Sequence, residues 1–244
     1  VTAESERFVP VEGGEIWTSV EGQGRPILLA SGGPGCCDYL APLAELLRGL
    51  GRVIRFEARG CGRSSLSESY GLGQTLGDLD RVLDAHAATD VVFVGHSWGA
   101  DLGLAFALEQ RSRVRALLGV AGGRIVDDRE WSRLYHERRE REGELEPDYA
   151  FPPNLAVNRA LNAEWRAYCK APDLLARLAR LDVPALLVTA SNDIRPSWPT
   201  EQLAALLPRG VYRQVAGAGH VIWETHAKEL ATILRGFIES LGEV

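Results

Sequence analysis

Between residues 26 and 121 the chain alternates short apolar runs with stretches of helical spacing. That rhythm constrains the fold more than any other feature. Apolar runs fall at 26–30, 52–56, 90–94 and 114–121, and helical spacing fills 40–50, 72–87 and 102–108. Strands this short and apolar throughout are buried on both faces, and the helices between them supply the crossovers of a parallel sheet. Residues 7–12 and 15–21, joined at Gly13-Gly14, read as an opening hairpin. The rhythm returns late in the chain, with strands at 184–189 and 211–215 and helices at 200–207 and 225–241. The expectation is an α/β fold with a mostly parallel central sheet and helices on both faces.

The pattern breaks between 124 and 181. A charged helical run at 127–144 is followed by a loop bearing Pro147, Pro152 and Pro153, then by helical spacing at 155–169 and 173–181. A helical insertion between two strands of a parallel sheet belongs over the carboxyl ends of the strands, where ligands bind. The chain therefore divides into a core, residues 1–123 and 182–244, and a helical cap, residues 124–181.

Composition excludes several roles. The formal net charge is −6, which gives nucleic acid no electrostatic footing. The apolar runs have strand length, far below the ~20 residues of a membrane span. Cys36, Cys37, Cys61 and Cys169 form neither CxxC nor paired-finger spacing, so neither a metal site nor a disulfide framework is expected. No metal, no organic cofactor and a reducing, cytoplasmic compartment are the expectations, the opening residues carrying no basic-then-apolar leader.

Chemistry concentrates at Gly95-His96-Ser97-Trp98-Gly99, a G-x-S-x-G run with a strand before it and a helix after it. A serine on that strand-to-helix turn is exposed on a crowded backbone, which small flanking residues accommodate, and the helix N-terminus favours developing negative charge. On its own the run also fits an ordinary glycine-rich turn. Ser97 needs a base. His86 and His136 lie on helical patterns that read as solvated faces, His226 opens the last helix, and His96 is expected to pack or hydrogen-bond locally. His220 follows the last strand in Ala216-Gly217-Ala218-Gly219-His220, where the chain order Ser…Asp…His places the base. Asp193, just past the strand at 184–189, is the favoured acid, and Asp127 or Asp128 the competitor. Oxyanion donors are expected from the N–H groups of Trp98 and of Gly33 in the turn Ser31-Gly32-Gly33-Pro34-Gly35. In the cap, Trp131, Tyr135, Phe151, Trp165 and Tyr168 are candidate pocket walls or packing residues. Glu144, Glu146 and Glu164 are the acids that would be needed to hold a free amino group.

With these pieces in place the chain resembles the proline iminopeptidase branch of the α/β hydrolases. The turn at 31–35 resembles that family's HGGPG, Arg59-Gly60-Cys61-Gly62-Arg63-Ser64 its DQRGCGRS loop, and Val94-Gly95-His96-Ser97-Trp98-Gly99 its GGSWGS elbow. The resemblance covers 8–121 and 183–241. It implies the α/β-hydrolase fold with a helical cap, Ser97, Asp193 and His220 as a triad, Gly33 and Trp98 as oxyanion donors, and Cys61 as a structural loop residue. Ser31 stands where the family has His, Glu57-Ala58 where it has Asp-Gln, and Glu164-Trp165 only faintly echoes its amino-holding cap glutamates. The expected activity is acyl transfer to water on a small amide, peptide or ester. Alternatives are a prolyl aminopeptidase proper, an esterase, lactonase or thioesterase, and a ligand-binding receptor without turnover on the same scaffold.

Overall fold

In the computed structural model, which describes residues 5–125, 129–142 and 146–242, the apolar runs form one eight-stranded sheet. The strands are β1 (Ser5–Val11), β2 (Gly14–Glu21), β3 (Pro26–Ala30), β4 (Arg52–Phe56), β5 (Val91–His96), β6 (Val114–Val120), β7 (Ala185–Ala190) and β8 (Gly210–Val215). Their order is β1-β2-β4-β3-β5-β6-β7-β8. The hairpin β1–β2 and the pair β2–β4 are antiparallel, and every later pairing is parallel.

Alternate side chains of the parallel strands feed two separate apolar layers. Leu28, Ile54, Phe93, Leu117 and Leu187 pack on one face. Ile27, Leu29, Val53, Val92, Val94, Leu118 and Val188 pack on the other. The first layer is closed by α2 (Leu72–Ala85) and α3 (Trp98–Glu109), the second by α1 (Ala41–Leu46) and α8 (Ile222–Ser240). Helix α7 (Trp198–Leu206) fills the crossover between β7 and β8. Three helices differ from their sequence expectation, α6 (Leu174–Leu178) being shorter than 173–181. Helix α1 is shorter than 40–50, and α8 begins before 225 and kinks at His226, whose φ of −129° and ψ of 37° leave helical space.

Between β6 and β7 stand α4 (Arg129–Glu142), α5 (Leu155–Tyr168) and α6 (Leu174–Leu178), with no strand among the described residues there. Helices α5 and α6 do not form a layer of their own. Val157, Leu161, Trp165, Leu174 and Leu178 join the apolar cluster that also holds Leu72, Leu76 and Leu102.

The order of strands reverses at β3, whose parallel neighbours β4 and β5 lie on opposite sides. Successive crossovers thus leave in opposite directions, and a crevice opens past the carboxyl ends of β3 and β5. The turn at 31–35 and the elbow at 95–99 both sit there.

Candidate active site

The elbow is held by contacts that only small residues permit. A Cβ on Gly95 would collide with the backbone of Gly99, and one on Gly99 with the carbonyl of Ala30. Between them Ser97 takes φ 53° and ψ −122°, a left-handed conformation that costs a non-glycine residue about 1–3 kcal/mol and persists only where its surroundings over-determine it. The Ser97 N–H donates to Val120 O at 2.8 Å, and its carbonyl accepts from the Ala100 N–H at 3.0 Å. The turn after β3 lies directly against it, since a Cβ on Gly32 would stand 2.6 Å from the Ser97 Cβ. Gly33, at φ 54°, and Trp98, the first residue of α3, line the same cavity as Ser97.

Asp193 and His220 come together from the loops after β7 and β8. His220 Nδ1 donates to Asp193 Oδ2 at 2.7 Å, and both side chains are buried. The other carboxylate oxygen accepts from the Arg195 N–H at 2.9 Å and pairs with its guanidinium at 3.3 Å. Burial alone would raise the Asp193 pKa, but the hydrogen bond and charge of His220 and the charge of Arg195 bring it below its ordinary value. The Asp193 bond fixes the tautomer of His220 with Nε2 unprotonated and available as a base. Asp127 and Asp128, the competitors, lie outside the described residues.

His96 departs from the expectation of local bonding. Its Nδ1 sits 2.7 Å from the Tyr39 hydroxyl, and its Nε2 lies 3.1 Å from the His220 carbonyl. A carbonyl only accepts, so Nε2 carries the proton and Nδ1 accepts from Tyr39, whose oxygen in turn accepts from the Gly32 N–H at 2.6 Å. Burial pushes the His96 pKa far down and keeps the ring neutral. One hydrogen-bonded string therefore ties the turn after β3, the elbow after β5 and the loop after β8. His86 also departs from its expected solvated face, being buried with Nε2 3.0 Å from the Thr18 hydroxyl. His136 is exposed as expected.

A cavity of about 340 Å³ opens over Ser97. Of the cap aromatics, Trp131, Tyr135 and Trp165 line it. Phe151 and Tyr168 do not, and both are corrections. Phe151 is exposed and stands 5.9 Å from the Arg63 guanidinium. Tyr168 stacks behind Trp165 and donates to Glu109 at 2.9 Å. Glu164 is taken up elsewhere as well, accepting the Leu72 N–H at the start of α2. Glu146 is exposed and lines no part of the cavity, and Glu144 lies outside the described residues. Cys61 is buried in the 59–64 loop with its Sγ 3.8 Å from the Arg59 carbonyl, and burial above all pushes its thiol up to about 12, leaving it unreactive.

Sequence reasoning missed Asp101, Arg124, Asn158, Asn162 and Arg195, all of which line the cavity. A signal existed for three of them. Asp101 is the one charged residue of 98–108 and follows Ser97 by a helical turn, while Asn158 and Asn162 share the Trp165 face of α5. Asp101 Oδ1 accepts the N–H groups of Gly123 and Arg124 at 3.1 and 2.9 Å. Burial pushes its pKa up to about 7 against the lowering effect of Arg124.

A match to the model of the alpha/beta hydrolase family runs from residue 27 to 233, taking in the elbow, Asp193 and His220. The chain belongs to the alpha/beta hydrolase family. Within it, the chain is 29% identical to a putative carbamate hydrolase, RutD, of Azorhizobium caulinodans, over 89% of this chain and 90% of that protein. A proline iminopeptidase of Saccharolobus solfataricus is 33% identical, but over 42% of this chain and 35% of its own length. The solved esterase of Thermogutta terrifontis shares the hydrolase fold, with a TM-score of 0.76 at 22% identity over 99% of this chain and 100% of its own. This chain is accordingly a hydrolase, and among its described residues no helix is long and apolar enough to cross a membrane.

Proposed function

We propose that this hydrolase works by two-step acyl transfer on a small amide, carbamate or ester. Ser97 Oγ attacks the substrate carbonyl while His220 Nε2 takes the hydroxyl proton. The N–H groups of Gly33 and Trp98 hold the oxyanion, and the proton passes to the leaving amine or alcohol as its bond to the acyl carbon breaks. Water, deprotonated by His220, then releases the acid and restores Ser97. Asp193 holds the imidazole tautomer and stabilises the imidazolium. Residues 124–181 act as the cap over this site.

The observation carrying the reading is the buried 2.7 Å bond between His220 and Asp193, on loops flanking a serine held at positive φ. Similarity to a putative carbamate hydrolase over most of both chains favours a small acyl-nitrogen or acyl-oxygen bond. The aminopeptidase alternative needs a cavity carboxylate for a cationic amine. Glu164 is bound to α2, and Asp101 is bound to the backbone after β6.

Ser97→Ala is expected to lower kcat by ~10³-fold or more on a nitrophenyl ester. Phosphonofluoridate labelling with mass spectrometry is expected to place the adduct on Ser97. An adduct elsewhere, or full activity in the variant, overturns the assignment, and a labelled protein without turnover points to the receptor alternative.

A further inference from the structure

Charge in the cavity over Ser97 is lopsided. Its described lining carries one carboxyl and two guanidinium side chains, Asp101, Arg124 and Arg195, and no glutamate or lysine. Arg195 is committed to Asp193. One oxygen of Asp101 takes two backbone N–H donors, and its burial favours the neutral acid. Arg124 is different. Among the described residues its guanidinium forms no ion pair, and it lies 4.0 Å above the Trp131 ring. Trp131 is itself pinned, its Nε1 donating to Pro196 O at 3.0 Å and its ring stacked on Tyr135. The guanidinium is thus held in place before any ligand arrives, by a face that stabilises its charge without neutralising it. A planar fork so placed matches a carboxylate, with which it forms two parallel hydrogen bonds.

Position sets the length of the ligand. Arg124 lies just beyond β6, and Ser97 just beyond β5. The two strands are paired, with His96 opposite Val120, so they run about 5 Å apart. Both residues line one cavity of about 340 Å³, so a small molecule with its carbonyl at Ser97 shares that cavity with Arg124. We infer that Arg124 is a specificity residue that reads a carboxylate, and that the substrate is a mono-ester or mono-amide of a short dicarboxylic acid. The inference rests on the reading of Ser97 as nucleophile for its orientation, but not for its binding test.

Two measurements separate the ideas. The first compares kcat/KM for nitrophenyl butyrate and mono-nitrophenyl glutarate, similar in length but differing in the distal carboxylate. The native enzyme is expected to prefer the glutarate ester at least ~10-fold, and Arg124→Gln to cut that preference by about 10- to 100-fold, the usual range for a charged hydrogen bond. Arg124→Lys is expected to restore part of it. Equal rates on both esters in the native enzyme, or an unchanged preference in Arg124→Gln, overturns the inference. The second is calorimetric titration of glutarate and butyrate into the Ser97→Ala protein, with and without Arg124→Gln. Glutarate binding lost with Arg124 supports the inference even if Ser97 proves not to be the nucleophile. Glutarate binding no tighter than butyrate, or indifferent to Arg124, sinks it even if Ser97 is labelled.

Discussion

Helices α4 and α5 are each fourteen residues long and wall the same cavity, yet they are held in opposite ways. Helix α5 begins on a side-chain cap, Asn154 accepting the N–H groups of Ala156 and Val157, and buries Val157, Leu161 and Trp165 at helical spacing. Its wall is part of the apolar core. Helix α4 buries Trp131 alone. It is laced with exposed pairs such as Arg133 with Glu130 and Glu137, and it touches the loop after β7 through Trp131 and a 3.4 Å bond from Arg138 to Asp193 O. One wall is continuous with the fold and the other is fastened at a few points. A wall fastened at a few points opens locally at a lower free-energy cost than one continuous with the core.

The sharpest way to break this contrast is to truncate each wall. Leu161→Ala is expected to lower global stability by about 2–5 kcal/mol in denaturant unfolding, as buried leucines do. Trp131→Ala is expected to leave it within about 1 kcal/mol while speeding limited proteolysis within 129–142. Equal global losses from the two would show that α4 belongs to the core as fully as α5.

The floor between the walls gives a smaller, pH-dependent effect. Folded Asp101 keeps its proton up to about pH 7, whereas the ordinary carboxyl value is 3.8. A group with a raised native pKa contributes its full stability below the unfolded value and loses it as pH rises through the native one. Asp101→Asn keeps the acceptor for Gly123 and Arg124 without the buried charge. It is expected to gain on the order of 1–3 kcal/mol over the native protein at pH 8 and nothing near pH 3. A pH-independent difference in thermal unfolding would refute this. The smallest effect belongs to the outer face of α4. Arg133→Gln removes two exposed ion pairs and is expected to leave Tm unresolved from the native value. A clear drop would mean that surface pairs, rather than Trp131, hold that wall.

Legibility followed the range of the interactions. The sheet, its crossovers and the inserted helices could be read because they follow from local apolar spacing, and the elbow because its motif falls between a strand and a helix, although Gly99 answers the distant carbonyl of Ala30. Asp193 and His220 were singled out by their places after the last two strands, with Asp127 and Asp128 left as competitors for the acid. The partners of His96, His86 and Glu164 were not, since they lie 124, 68 and 92 residues away, and no spacing rule reaches that far. Phe151 and Tyr168 misled for a related reason. Aromatic character says that a side chain will seek a surface, and the tertiary partners decide which one, Glu109 at the end of α3 for Tyr168 and Arg63 for Phe151.

The string from Gly32 through Tyr39 and His96 to the His220 carbonyl has a consequence for how the protein is made. A ribosome delivers the elbow early, and the acceptor for the His96 Nε2–H only 124 residues later. Until that loop and the helix behind it dock, His96 lacks both its acceptor and the His220 and Trp223 rings that cover it. The string therefore closes only in the complete fold, where the loop after β8 supplies its last acceptor.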